Sequence, residues 1–124
     1  MKNLALFFGS FFGLLSVIFG AFGSHLFNEY LISVNRLNPY EIGVKYQFYH
    51  SFLLLIVGLI SKDITKKRLK FILISLVFGI VLFSGSLYIL CFTNNPKWGM
   101  VTPIGGTLLV ISWLILSFNF FNKK

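Results

Sequence analysis

The sequence predicts an all-α membrane protein, a bundle of four transmembrane helices with both termini cytoplasmic. The placement of charge is the first observation behind this. Eleven lysines and arginines and three acids leave four uncharged windows, Asn3–Asn28, Tyr46–Ser61, Phe71–Pro96 and Trp98–Asn122. A helix crosses the hydrocarbon core of a bilayer with about 20 apolar residues, so these windows have the length of spans. Composition is the second observation: the chain is 56% hydrophobic and 11% charged, with a mean hydropathy of +0.85. Soluble domains carry about 25% charged residues. A water-soluble core of this size cannot bury four such segments, so one transmembrane domain is expected to fill residues 1–124.

The first span is expected over about residues 4–27. It carries small residues at Gly9, Gly13, Ser16, Gly20 and Gly23, a heptad-like seam along which another helix backbone can approach closely. Packing inside the bundle is the expected use of this seam, with a homodimer interface as the alternative. The apolar run Leu4–Phe22 exceeds the usual length of a signal-peptide core, so a retained helix is expected. His25 points away from the seam on an ideal helix, so a break near Gly23-Ser24 is expected to let both face protein.

The second window holds only 16 residues, and its upstream flank extends it. Asn38 as cap, Pro39 in the first helical position and Glu41 three residues after the cap predict a helix over 39–61. Glu41 and Lys45 are an i,i+4 pair, and Lys45 is expected to snorkel to the outer interface. Lys62, Lys66, Lys67, Arg68 and Lys70 then crowd one short connection in which Asp63 is the single acid. Such a cluster attracts anionic lipid headgroups. The third span is expected over 67–93 with Thr65 as a cap, and Gly79 extends its own small-residue stripe. The fourth is expected over 103–121, capped by Thr102, with Gly105 and Gly106 near its start; the alternative is a helix from Pro96 kinked at Pro103.

Counting cations orients the bundle. Lys2, the five bases of the Lys62–Lys70 segment, Lys123 and Lys124 share one side, against Arg36, Lys45 and Lys97 on the other. The positive-inside rule makes the richer side cytoplasmic. The net charge of +8 thus belongs to the membrane surface, and no nucleic-acid partner is expected.

Polar residues gather in the outer half of the spans. Tyr46, Gln47 and His50 share one side of the second span, Ser84 and Tyr88 line the third, Thr102 enters from the fourth, and His25 ends the first. Three readings fit these residues. They are interhelical hydrogen bonds that fix the bundle, an outward pocket for a lipid headgroup, quinone or small solute, or haem or metal ligation by His25 and His50. No nucleophile–base–acid set is visible and no carboxylate lies at depth, so neither catalytic residues nor an ordinary proton-coupled transporter is expected. The single cysteine, Cys91, excludes an internal disulfide and any multi-cysteine metal site.

Four segments in series carry a resemblance: Gly20-Ala-Phe-Gly-Ser-His25, Lys45-Tyr-Gln-Phe-Tyr-His50, Leu82-Phe-Ser-Gly-Ser-Leu-Tyr88 and Thr102-Pro-Ile-Gly-Gly106. Across essentially its whole length the chain resembles the family called domain of unknown function 423. The resemblance implies a four-helix protein of the bacterial inner membrane, with no established activity. It also implies that the connection between the first two spans is partly helical. From the residues, a non-enzymatic protein without cofactor or metal is expected, binding a lipid, small ligand or protein partner through the outward polar cluster, with a homo-oligomer as a further partner. The alternatives are a solute transport or permeation subunit and a haem- or metal-binding membrane protein.

Overall fold

The computed structural model describes residues 1–121. Lys123 and Lys124, which enter the charge count, lie outside the described residues. Helices α1 (Lys2–His25), α2 (Asn28–Ser33), α3 (Leu37–Leu59), α4 (Lys66–Thr93) and α5 (Thr102–Phe121) follow one another, with 3-10 turns at Ser61–Asp63 and Pro96–Met100. Four stretches are long and apolar enough to cross a membrane: α1, α3, α4 and Pro96–Phe121. No strand occurs among the described residues.

The two middle spans form the centre. Within their apolar stretches 44% of α3 and 50% of α4 is buried, against 22% for α1 and 22% for the last span. α1 packs on α3, α3 on α4, and α4 on α5. Leu54, Val57, Ile72, Leu76 and Ile80 fill the interior, joined by Ala5 and Phe12 from α1 and Leu109 from α5. Phe7, Phe11, Leu14 and Val17 of α1, and Val110, Leu114 and Phe118 of α5, point outward. Water would oppose such a surface; lipid tails solvate it, and α-helices satisfy their own backbone polar groups there.

Small residues set the spacing between neighbours. A side chain on Gly9 would come within 2.9 Å of the Ser51 carbonyl and of Leu55, so this position brings α1 onto α3. Gly23 lies against the Tyr40 ring, and Ser16 is buried with its hydroxyl on the Phe12 carbonyl at 2.7 Å. The small-residue side of α1 therefore meets α3 of the same chain. Gly13 and Gly20 have ordinary room, their nearest neighbours to an added carbon being 3.9 and 3.6 Å away. Between α4 and α5 the approach is tighter. A side chain on Gly105 would overlap the Phe83 backbone, lying 2.7 Å from its Cα, and one on Gly79 would meet Leu109 at 2.8 Å. Gly106 has more space, at 3.5 Å from the Phe83 ring.

Helix boundaries differ from expectation in three places. α1 does not break at Gly23-Ser24: it runs to His25 and turns only afterwards, where the Leu26 and Phe27 amides both donate to the Phe22 carbonyl at 2.8 Å. The Ser24 hydroxyl bonds the Gly20 carbonyl at 3.1 Å, inside the helix, rather than opening it. The connection that follows is helical over Asn28–Ser33 and ends with Asn35 in the left-handed region (φ 57°) while the Arg36 amide reaches back to Leu31 at 2.8 Å. Asparagine tolerates that conformation, and the pairing closes the helix end. The chain is thereby delivered straight into α3 at Leu37, without the side-chain cap expected at Asn38. Pro39 falls in the first turn, where a missing amide hydrogen costs nothing. At the last span, Pro96–Met100 forms a 3-10 turn before α5, and the Thr102 hydroxyl bonds Ser86 instead of capping. The Thr65 cap is formed, its hydroxyl accepting from the Arg68 amide at 3.4 Å.

Four crossings place the start of α1, the end of α3, the start of α4 and the end of α5 at one end of the molecule. There Gly58 of α3 meets Ala5 and Leu6, and Asn119 of α5 reaches the Asp63 carbonyl at 3.0 Å. This is the basic end. α2 and the Pro96–Met100 turn lie at the other.

Candidate functional site

Two polar systems join the helices, and a cavity lies beside the second. The first system ties α1, α3 and α4 together through Gln47, which is buried. Its amide nitrogen donates to the Phe12 carbonyl at 2.9 Å, and its amide oxygen accepts from the Tyr88 hydroxyl at 2.6 Å. Those two partners also settle which way the amide is turned, since only this orientation satisfies both. Nearby, the Ser84 hydroxyl donates to the Gly43 carbonyl at 2.7 Å and the Tyr40 hydroxyl donates to the Phe19 carbonyl. The Tyr88 ring rests against Phe19 and Tyr40, with centroids at 4.9 and 5.6 Å. Every buried side-chain nitrogen and oxygen among the described residues has a partner. This system is closed on itself.

The second system is His50, buried midway along α3. Its Nδ1 lies 2.7 Å from the Tyr46 carbonyl, one turn back, and its Nε2 lies 3.0 Å from the indole nitrogen of Trp113 on α5. A carbonyl can only accept and an indole N–H can only donate. The ring is thus the tautomer protonated on Nδ1, with its Nε2 lone pair taken by Trp113. No free lone pair is left for a metal or haem iron.

Around this pair lies a cavity of about 560 Å³ between α3, α4 and α5, open to the side of the bundle and lined by Tyr46, His50, Phe83, Gly106, Val110 and Trp113 among others. Ligand cavities commonly hold about 300–1,000 Å³ and are mostly apolar with a few polar groups. The Tyr46 ring lies 5.1 Å from Phe83, and its side chain is 42% exposed. No described residue shares a hydrogen bond with the Tyr46 hydroxyl.

The remaining residues singled out in the sequence lie apart from these. His25 is exposed at the end of α1 and joins neither system, because α1 stays helical through Ser24 and carries the ring away from α3. Thr102 pairs with Ser86, oxygen to oxygen at 2.6 Å, as a separate α4–α5 tie. Lys45 and Glu41 border a cleft of about 430 Å³ with Gly20, Gly23 and Ser24, at the non-basic end. The expected single cluster is therefore several, divided by the α3–α4 contact.

Sequence reasoning did not single out Trp113, Tyr40 or Asn119. The signals were there. Trp113 stands inside a span, whereas tryptophan favours the interface. Asn119 is the one amide side chain of α5 and is fully buried.

The fold and its interior define a small, multi-pass, all-α membrane protein whose polar residues join neighbouring spans. The chain belongs to the family described as "Protein of unknown function (DUF423)", whose model matches residues 19–106. It is 42% identical over 108 residues to a UPF0382 membrane protein of Staphylococcus saprophyticus, covering 87% of this chain and 88% of that relative. It is 36% identical over 125 residues to one of Haemophilus influenzae, covering 100% and 98%. It is also 30% identical over 115 residues to the UPF0382 inner membrane protein YgdD of Escherichia coli, covering 93% and 87%. No solved structure matches the chain.

Proposed function

We propose that this protein is a non-enzymatic component of the bacterial cell membrane that binds a lipid-soluble amphiphile in the cavity between α3, α4 and α5. The observation that carries the reading is the pairing of an aromatic-walled space of about 560 Å³ with a Tyr46 hydroxyl that the described residues leave without a partner. A polar group facing hydrocarbon is costly unless it is hydrogen-bonded. An ester carbonyl of a lipid or a carbonyl of a quinone supplies the acceptor, while Phe83, Val110 and Trp113 receive the apolar part. Entry is sideways, from the bilayer. His50 contributes a wall and the tie to Trp113 rather than a free donor. The solute-permeation alternative has less support, because the polar residues between α1, α3 and α4 are bonded internally, Gln47 to the Phe12 carbonyl at 2.9 Å and Tyr88 to Gln47 at 2.6 Å.

The reading is tested by extracting the full-length protein in mild detergent and measuring bound lipids by native mass spectrometry. A species enriched over the bulk membrane extract is expected with the wild type. Gly106→Leu fills the cavity and should remove that species, and Tyr46→Phe should weaken its retention about tenfold, the worth of one buried hydrogen bond. Equal retention by the wild type and the filled variant, or no enriched species at all, defeats the proposal.

A further inference from the structure

The basic end carries a different feature. Lys67 and Phe71 are one turn apart on α4, so a cation and an aromatic residue share one side of the helix. Ile115 and Phe118, also one turn apart, answer them from α5. Together with Arg68 these residues line a groove of about 400 Å³. Its rim is cationic and its floor is apolar.

Arg68 is held in position. Asn119, fully buried on α5, accepts from the Arg68 guanidinium at 3.3 Å and donates to the Asp63 carbonyl at 3.0 Å. A guanidinium has five donors in a fixed fork, so this tether orients the group and leaves most of its donors for another acceptor. Lys62 and Lys66 carry the same charge nearby but do not line the groove.

We propose that this groove seats one anionic phospholipid, with Lys67 and Arg68 on the headgroup phosphate and Phe71, Ile115 and Phe118 along the acyl chains. The charge is complementary: five bases and one acid fall between Lys62 and Lys70. The apolar floor continues in the direction that acyl chains run, which free phosphate would not use. The groove lies at the basic end and shares no lining residue with the α3–α5 cavity, so neither proposal depends on the other.

The test titrates the full-length protein in neutral detergent with dioleoylphosphatidylglycerol or dioleoylphosphatidylcholine, reading lipid adducts by native mass spectrometry and the melting temperature. Phosphatidylglycerol should bind more tightly and raise the melting temperature; phosphatidylcholine should do neither. The Lys67→Gln/Arg68→Gln double variant should lose about a hundredfold in phosphatidylglycerol affinity, since two charge-assisted hydrogen bonds are removed and each is worth about tenfold. Lys62→Gln/Lys66→Gln removes equal charge and should leave affinity within about twofold. Ile115→Trp fills the groove with all charges intact and should also weaken binding, which keeps the test decisive if the double variant folds poorly. Equal losses in both charge-matched pairs, or unchanged binding in Ile115→Trp, would show diffuse attraction to the basic surface and overturn the site. Equal affinity for the two lipids would overturn it as well.

Discussion

His50 is held between two partners of opposite character, a carbonyl on its own helix and an indole N–H from α5. Residues 63 positions apart in the chain meet in this bond. Side-chain hydrogen bonds between membrane helices average about 0.6 kcal/mol and reach about 1.7, so the pair is a modest tie with a strong directional preference. A double-mutant cycle with His50→Phe and Trp113→Phe, measured by unfolding in detergent, should give a coupling energy in that range. A coupling indistinguishable from zero would mean that the contact contributes only packing. The roles of individual polar residues were partly legible. Helical periodicity puts Gln47 and His50 on one side of α3, and both are buried there. Their partners were not legible, since periodicity says which way a residue faces but not what stands opposite. Tyr46 shows the limit of the same argument. It lies on the same line of the helix, yet the diverging surfaces of α3 and α5 leave it at an open cavity.

At the scale of elements, the closest approach belongs to α4 and α5. Gly105 lies against the backbone of Phe83, which cannot rotate away as a side chain can. Gly105→Ala should therefore destabilise the protein by about 1–3 kcal/mol, the usual cost of overpacking, and sometimes more. Gly106→Ala, next to it but facing the Phe83 ring at 3.5 Å, should cost much less. Thermal unfolding of both variants in the same detergent checks the difference, and equal losses would place the close contact elsewhere. The short pattern Gly105-Gly106 could not tell these two positions apart, because the distinction rests on which of them the neighbouring backbone crosses. The small-residue side of α1 behaves similarly. Gly9 and Gly23 sit against α3, while Gly13 and Gly20 have ordinary room. Regular spacing identified the face; the crossing of two helices selected the positions that need it. Local signals misjudged the start of α3 for a related reason. The left-handed Asn35 and the return bond from Arg36 to Leu31 close α2 and start α3 before the expected capping box begins.

For the whole molecule, charge and topology act together. The starts of α1 and α4 and the ends of α3 and α5 share the basic end, and the positive-inside rule assigns such an end to the cytoplasm. Reporter fusions should accordingly place residue 97 outside the cell membrane, and the Lys62–Lys70 connection and the N-terminus inside. The opposite result would remove the electrostatic argument for orientation. The sequence by itself determined that this is a membrane protein with four spans, which end is basic, and which faces are small or polar. These follow from properties of single segments: apolar length against bilayer thickness, helical period, and the positions of charge. Only the tertiary structure decided that α3 and α4 are central, that the polar residues divide into separate ties, that His25 stands outside them, and that an open cavity lies beside His50 and Trp113. Those outcomes depend on the rotation and neighbours of each helix. The partners that set them lie 35, 41 and 63 residues apart in the Phe12–Gln47, Gln47–Tyr88 and His50–Trp113 bonds. Inside a bilayer, where lipid is as apolar as the core, close fit and satisfied polar groups choose the arrangement, and neither is a property of any one segment.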